Sequence, residues 1–247
     1  MSLADKLTTI AENMPKVYEA GKDKILSDMW ETIQQGGDRT DYEYAFRRWK
    51  LSKDIFKPKY DIRPTGSCRY LFQYTEGEPL DLIEIEKECG IVFDFSGATT
   101  LAGLLQHAMV STINIIDGGN SLSINYIFSP SRVTYYNVIK RINKLIVNAS
   151  TTYTNSFDKA YGIEHCVFEG VIGQSGLDTS ACTLLDKESI ISVINTLSAE
   201  TNSLSVTLSK TAVDKAFETS EGANNGSTST EWTTLIGTKS NWTISLA

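Results

Sequence analysis

The chain is 247 residues long, 41% hydrophobic and 21% charged, with a formal net charge of −7. That balance suits a soluble globular protein of one large domain or a few small modules. It excludes a broad nucleic-acid footprint, which needs a clustered basic surface, and no apolar run reaches the ~20 residues of a membrane span.

Residues 3–20 read as a helix. Leu3, Leu7, Ile10, Met14 and Val17 recur at alternating steps of four and three, an a/d seam. A helix this short is marginal alone in water. The seam therefore either packs on its own domain or closes a short coiled coil, and we take it as the oligomerisation seam of a homo-oligomer, with a trimer among the options. A second helical stretch, Ile25, Met29, Trp30 and Ile33, stops at Gly36-Gly37. The opening lacks the uninterrupted apolar core and small-residue cleavage site of a signal peptide, so synthesis in a cytoplasm is expected. Residues 1–35 form the expected attachment segment.

Residues 36–67 form an aromatic-rich capping module. Tyr42, Tyr44, Phe46, Trp49, Phe56 and Tyr60 cluster there with Pro58 and Pro64. The open end of a repeat array must be covered, because its outermost unit has no neighbour. Arg47, Arg48, Lys50, Lys53, Lys57 and Lys59 are the densest basic stretch, but they lie in an acidic chain and read as a solvated loop.

Residues 68–183 carry a degenerate repeat. Leu104 is followed by Val110, Ile113 and Ile115; Ile127 by Val133, Tyr136 and Val138; Phe157 by Ile163, Cys166 and Phe168. Phe72, Leu80, Ile83 and Ile85 make a fourth copy with two residues inserted. Such a period means stacked units that cannot bury an apolar face alone. LDLIEI, STINIID, VTYYNVI and IEHCVFEG read as strands, each followed by a second short segment: IVFDF, LSIN, LIVN and GLDTS. Turns fall at Ser96-Gly97, Asp117-Gly-Gly-Asn120 and Ser129-Pro-Ser131.

Residues 184–247 form an α+β cap. Asp186-Lys-Glu188 opens a helix with Ile190, Val193, Ile194 and Leu197 on one side. A strand at 204–208, a helix near 212–217, a Ser/Gly/Asn loop at 220–229, a helix or turn near Trp232 and a closing strand at 241–246 follow. The fold class is thus α+β: a repeat solenoid of short β-strands with an N-terminal helix and a C-terminal α+β cap.

Motifs for phosphate loops, nucleophile elbows, zincins and dinucleotide binding are missing from the sequence. Cys68, Cys89, Cys166 and Cys182 show no CxxC spacing and read as small buried hydrophobes. His107 and His165 read as structural. Glu84, Glu86, Asp94 and Asp117 lie near strand ends, but any chain this acidic offers such pairs, so a glycosidase dyad is not inferred. We expect no enzyme, cofactor or metal. Tyr135 and Tyr153 are the candidate binding face, since tyrosine is a favoured recognition residue; Tyr136 occupies a repeat position and reads as core.

The spacing resembles the BspA-type leucine-rich repeat of bacterial surface and phage proteins. In that pattern Phe is followed by Cys, Leu, Ile and Ile; Phe157, Ala160, Ile163, Cys166 and Phe168 fit best, whereas His107 and Pro130 fall at the cysteine offset. The N-terminal LADKLTTIAENMPKVYEAGK and the tail Trp242-Thr-Ile-Ser-Leu-Ala247 resemble leucine-rich-repeat proteins of phages and prophages of gut bacteria. The resemblance implies a virion tail-fibre or baseplate component. It would bind a protein or surface glycan of a bacterial host, or another virion protein, for adhesion or receptor binding. Alternatives are an intracellular protein-binding scaffold or inhibitor, and a polysaccharide-degrading tail enzyme. Neither nucleic acid nor membrane insertion is expected.

Overall fold

The structure, a computed structural model, describes residues 39–43, 45–48, 50–54, 56–130, 133–135, 137–200, 203–219 and 225–247, all in the unit Asp38–Ala247. The seam Leu3, Leu7, Ile10, Met14 and Val17 and the helical stretch after it lie outside the described residues, as does Tyr136.

Every strand pairing among the described residues is parallel. The central sheet runs in chain order: β5 (Leu80–Asp81), β6 (Val110–Asp117), β7 (Arg141–Val147) and β8 (His165–Gly170). Before it, β1 (Arg39–Asp41) pairs with β3 (Pro64–Ser67), and β2 (Lys50–Leu51) with β4 (Glu76–Gly77). After it, β9 (Leu177–Thr179), β10 (Leu204–Leu208) and β11 (Trp242–Leu246) make a third sheet. Among the described residues four α-helices accompany the strands: α1 (Leu82–Cys89), α2 (Lys187–Thr196), α3 (Lys210–Ala216) and α4 (Thr230–Gly237). The described residues thus build a mixed α/β architecture of parallel sheets with no closed barrel. A parallel pair needs a long connection, and here successive turns supply it.

Register sets the core. Ile113, Ile142 and Cys166 stand side by side and are buried, as are Ile116, Leu145 and Phe168. Opposite the sheet runs a second set of contacts, through the bridges Ser67↔Thr100 and Ser123↔Thr152 and the bond from the Leu101 N–H to the Ser123 carbonyl. There the backbone repeats its shape. Tyr70, Gly103, Tyr126 and Asn155 have φ of 58°, 65°, 58° and 50°, and Arg48, Tyr74, His107 and Lys159 have 63°, 58°, 56° and 57°. Left-handed conformation costs a non-glycine residue about 1–2 kcal/mol. Bonds between successive segments oppose that cost: the N–H groups of Tyr70, Gly103 and Tyr126 donate to the carbonyls of Ala102, Asn125 and Thr154 at 3.2, 2.9 and 3.0 Å. Asx turns recur as well: Asp94, Asp117 and Asn148 each accept, through Oδ1, the N–H two residues on, at 3.1, 2.8 and 2.8 Å.

These bonds correct the alignment of the repeat. The N–H groups of Phe72, Leu105 and Phe128 donate to the carbonyls of Leu104, Ile127 and Ser156. The leading position is therefore Phe72, Leu105, Phe128 and Phe157, one residue beyond Leu104 and Ile127 in the middle copies. Two expected strands also differ. LDLIEI enters as β5 and then turns into α1, because the Asp81 carboxylate caps the Glu84 N–H at 3.0 Å and Gly90, at φ 67°, closes the end. VTYYNVI gives a 3-10 turn at Val133–Tyr135, and the strand is the following RINKLIV. Within IVFDF and LSIN only Phe93 and Ser123 form bridges.

Ahead of the central sheet, Phe46 stacks on Phe72 at 5.2 Å and meets Phe56 edge-on at 5.2 Å; Phe56 stacks on Phe93 at 6.2 Å. Beyond it, α2 covers the edge of β8. The N–H groups of Cys166 and Phe168 donate to the hydroxyls of Ser189 and Ser192 at 2.8 and 2.9 Å, and the Ile172 N–H reaches the Thr196 carbonyl at 2.8 Å. An unpaired strand edge is a template for aggregation; here two helix serines satisfy it. The expected helix from Lys187, the strand at 204–208 and the closing strand are all present.

Candidate functional site

The exposed face of the central sheet carries an organised polar row. Asn114 and Asn143 lie on neighbouring strands, between the register pairs Ile113↔Ile142 and Ile115↔Lys144. The Asn143 amide donates to Asn114 Oδ1 at 3.1 Å, and Arg141 Nε donates to Asn143 Oδ1 at 2.6 Å. Asn114 in turn bonds the Glu86 side chain, which also accepts the Phe93 N–H at 2.9 Å. Burial raises the Glu86 carboxyl above its ordinary range, against the lowering effect of those two bonds. Beside the row, Lys144 pairs with Glu169 at 2.7 Å and Lys140 with Glu164 at 3.4 Å. The face therefore offers amides and both charge signs at fixed spacing. The half-buried members are pre-ordered by one another, an arrangement that lowers the entropic cost of hydrogen bonding to any partner.

Of the two tyrosines expected on a binding face, the structure keeps one at the surface. Tyr135 is half-buried in the turn before β7. Its hydroxyl lies 3.4 Å from the Thr75 carbonyl, and its ring meets His107 edge-on at 5.7 Å. His107 stacks on Tyr74 at 4.5 Å, and the guanidinium groups of Arg47 and Arg48 sit 5.8 and 5.9 Å from the Tyr74 ring centre. So His107 is part of an aromatic row with a cationic end.

Tyr153 is a correction. It is 2% exposed, and burial pushes its hydroxyl well above the ordinary tyrosine range. It belongs to the core and cannot face a partner, because almost none of its surface is open to solvent. The two tyrosines are not brought together as one face. Sequence reasoning also missed Asn114 and Asn143. Both sit one residue past a buried isoleucine, Ile113 or Ile142, and only the pairing of the two strands sets them side by side.

The other residues singled out from the sequence are structural in this arrangement. His165 Nδ1 lies 2.6 Å from Asp186 Oδ2. Asp94 is held below the ordinary carboxylate range: hydrogen bonding by Ser96 lowers it most, with Arg63 assisting against desolvation. Among the described residues no group of three or more His, Cys, Asp or Glu side chains is placed to hold a metal ion, and no helix is long and apolar enough to cross a membrane. No protein-family model matches this chain, and neither curated proteins nor solved structures give a significant match.

Proposed function

We propose that this protein is a non-catalytic binding protein of leucine-rich-repeat-like solenoid type, working as a phage or prophage virion appendage. It attaches through its N-terminal segment and engages a host-surface ligand or another virion protein through the exposed sheet face. The observation that carries the binding role is the row Glu86–Asn114–Asn143–Arg141, fixed across neighbouring parallel strands by its own hydrogen bonds. The solenoid reading is supported by the chain-ordered sheet and by the left-handed positions that recur on its far side. The virion setting rests on the resemblance of the N-terminal and tail segments.

The test has two arms. Light scattering on the full chain is expected to show an oligomer that Ile10→Asp dissociates; an unchanged mass overturns the attachment role of the seam. In the second arm, host cells and purified virions are each offered the full chain. Asn143→Asp combined with Lys144→Glu is expected to lower retention about tenfold or more, since unpaired interface polar groups are costly. Equal retention of the variant, or turnover of a purified host polysaccharide, overturns the reading.

A further inference from the structure

The bonds that join one turn segment to the next on the far side of the molecule stop at one place. Leu105 and Phe128 donate their N–H groups forward to Ile127 and Ser156, and Gly103 and Tyr126 donate to Asn125 and Thr154. Asn155 and Phe157 are the next residues in these two series. Their N–H groups find no acceptor among the described residues. The following segment, which holds β9, pairs instead with β10. Between the two segments opens a cleft of about 430 Å³, within the range of small-ligand sites.

Its walls are hydroxyl, amide and carboxylate. Thr154, Asn155 and Asp158 come from the segment before β8, and Asp178, Ser180 and Thr207 from β9, the turn after it and β10, with Phe157 and Leu177 also in the lining. Among the described residues no lysine or arginine lines it, although Lys159 Nζ lies 4.0 Å from Asp158 Oδ2 outside the lining. Some of these groups are already fixed: Asp178 Oδ1 accepts the Ser180 N–H at 2.9 Å, and the Thr154 N–H donates to Asn125 Oδ1 at 2.7 Å. What remains is a set of acceptors (the second oxygens of Asp158 and Asp178), hydroxyls, and two backbone donors. Two carboxylates without a lining cation disfavour an anion. An apolar ligand would leave the walls unsatisfied. A ligand that both donates and accepts at short intervals fits, and vicinal hydroxyls on a sugar ring do so.

We propose that this cleft binds one or two units of a neutral glycan, with Asp178 and Asp158 accepting from sugar hydroxyls and the Asn155 and Phe157 amides donating to sugar oxygens. This deepens the binding reading above, on which it rests, and places a second contact away from the sheet face. An extended peptide is the competing occupant. The edge it would extend is short, because β9 spans only Leu177–Thr179, and strand addition draws its affinity from a run of main-chain bonds.

The test is calorimetric titration of the full chain with maltose, cellobiose and N,N′-diacetylchitobiose, and with the capped tripeptide Thr-Lys-Thr. We expect at least one disaccharide to bind with Kd on the order of 1 mM, and Asp178→Asn and Thr154→Ala each to weaken it about tenfold. Asp178→Asn keeps an acceptor for the Ser180 N–H, and circular dichroism checks that both variants fold. Lys144→Ala, on the sheet face, is expected to leave sugar binding unchanged. No disaccharide binding up to about 10 mM, binding indifferent to both cleft variants, or binding of the tripeptide alone would overturn the proposal. Retention on virions or cells by the sheet face is read separately, so the failure of one reading is distinguishable from that of the other.

Discussion

His165 and Asp186 lock the start of α2 to the start of β8. Asp186 Oδ2 lies 2.6 Å from His165 Nδ1, while Oδ1 accepts the Ser189 N–H and hydroxyl at 2.9 and 2.6 Å. Desolvation acts to raise the Asp186 carboxyl, yet the bonds from Ser189 and His165 outweigh it and leave the group below its ordinary range. A carboxyl lowered in the folded state stabilises above its unfolded value and loses that contribution as pH falls through the folded value. Asp186→Ala is therefore expected to cost about 2 kcal/mol at neutral pH, through the lost cap and the stranded imidazole. The gap should close on acidification below the ordinary Asp range near pH 3.8. Urea unfolding of both proteins at neutral pH and at about pH 3 checks this; a gap that stays constant counts against it.

Gly170 ends β8 at φ 89°, and a Cβ there would collide with the Val147 carbonyl oxygen. Because the obstacle is backbone, no rotamer relieves it. Gly170→Ala is expected to destabilise by about 2–4 kcal/mol, visible as a lowered denaturation midpoint. Gly176→Ala, at φ 99° but in open space, should cost less. Equal losses would show that φ alone matters here.

The Tyr153 hydroxyl is buried without a hydrogen-bond partner among the described residues. Keeping a polar group unsatisfied costs about 1–3 kcal/mol. Tyr153→Phe keeps the ring and removes the cost, so a neutral or higher melting temperature is expected, with no change in retention on cells or virions. A loss of binding in this variant would restore Tyr153 to the recognition surface.

Cysteine labelling reports the same burial. Cys68, Cys166 and Cys182 are buried and Cys89 is half-buried; burial pushes the Cys166 and Cys182 thiols up, with neighbouring negative charge adding to it. A thiol reagent acts on the thiolate. Native protein should therefore react at one site, Cys89, and at the remaining cysteines only after unfolding, by mass spectrometry of labelled peptides. Fast native labelling of Cys166 would contradict the packing.

The residues show why parts of this fold were readable and others were not. STINIID and IEHCVFEG became β6 and β8 because β-branched and aromatic residues fill buried columns there. LDLIEI satisfies a two-residue alternation and a helical one equally over so short a run. What decided was Asp81 and Gly90, the cap residues at the two ends of α1. The repeat slipped by one residue because Leu104 and Leu105 are adjacent and both buried, as are Ile127 and Phe128. Apolar spacing cannot choose between such neighbours; Gly103, at the left-handed position shared with Tyr70, Tyr126 and Asn155, marks the true register. The polar row at Asn114 and Asn143 was hidden because it depends on inter-strand register, which local pattern does not contain. The cleft depends on where one ladder stops, a tertiary event.

Strands that pair only with their neighbours in sequence also define how the molecule answers a pulling force. In the sheet β5-β6-β7-β8 every strand is bonded only to its neighbours in sequence, the two inner strands on both sides and the two outer ones on one. Tension applied across the sheet therefore passes through each interface in turn, as in a chain of links, and the weakest link alone sets the yield. The joint between β8 and α2 is held partly by serine hydroxyls in place of a full strand ladder, so peeling should begin there and proceed one unit at a time, lengthening the protein in steps instead of breaking it at once.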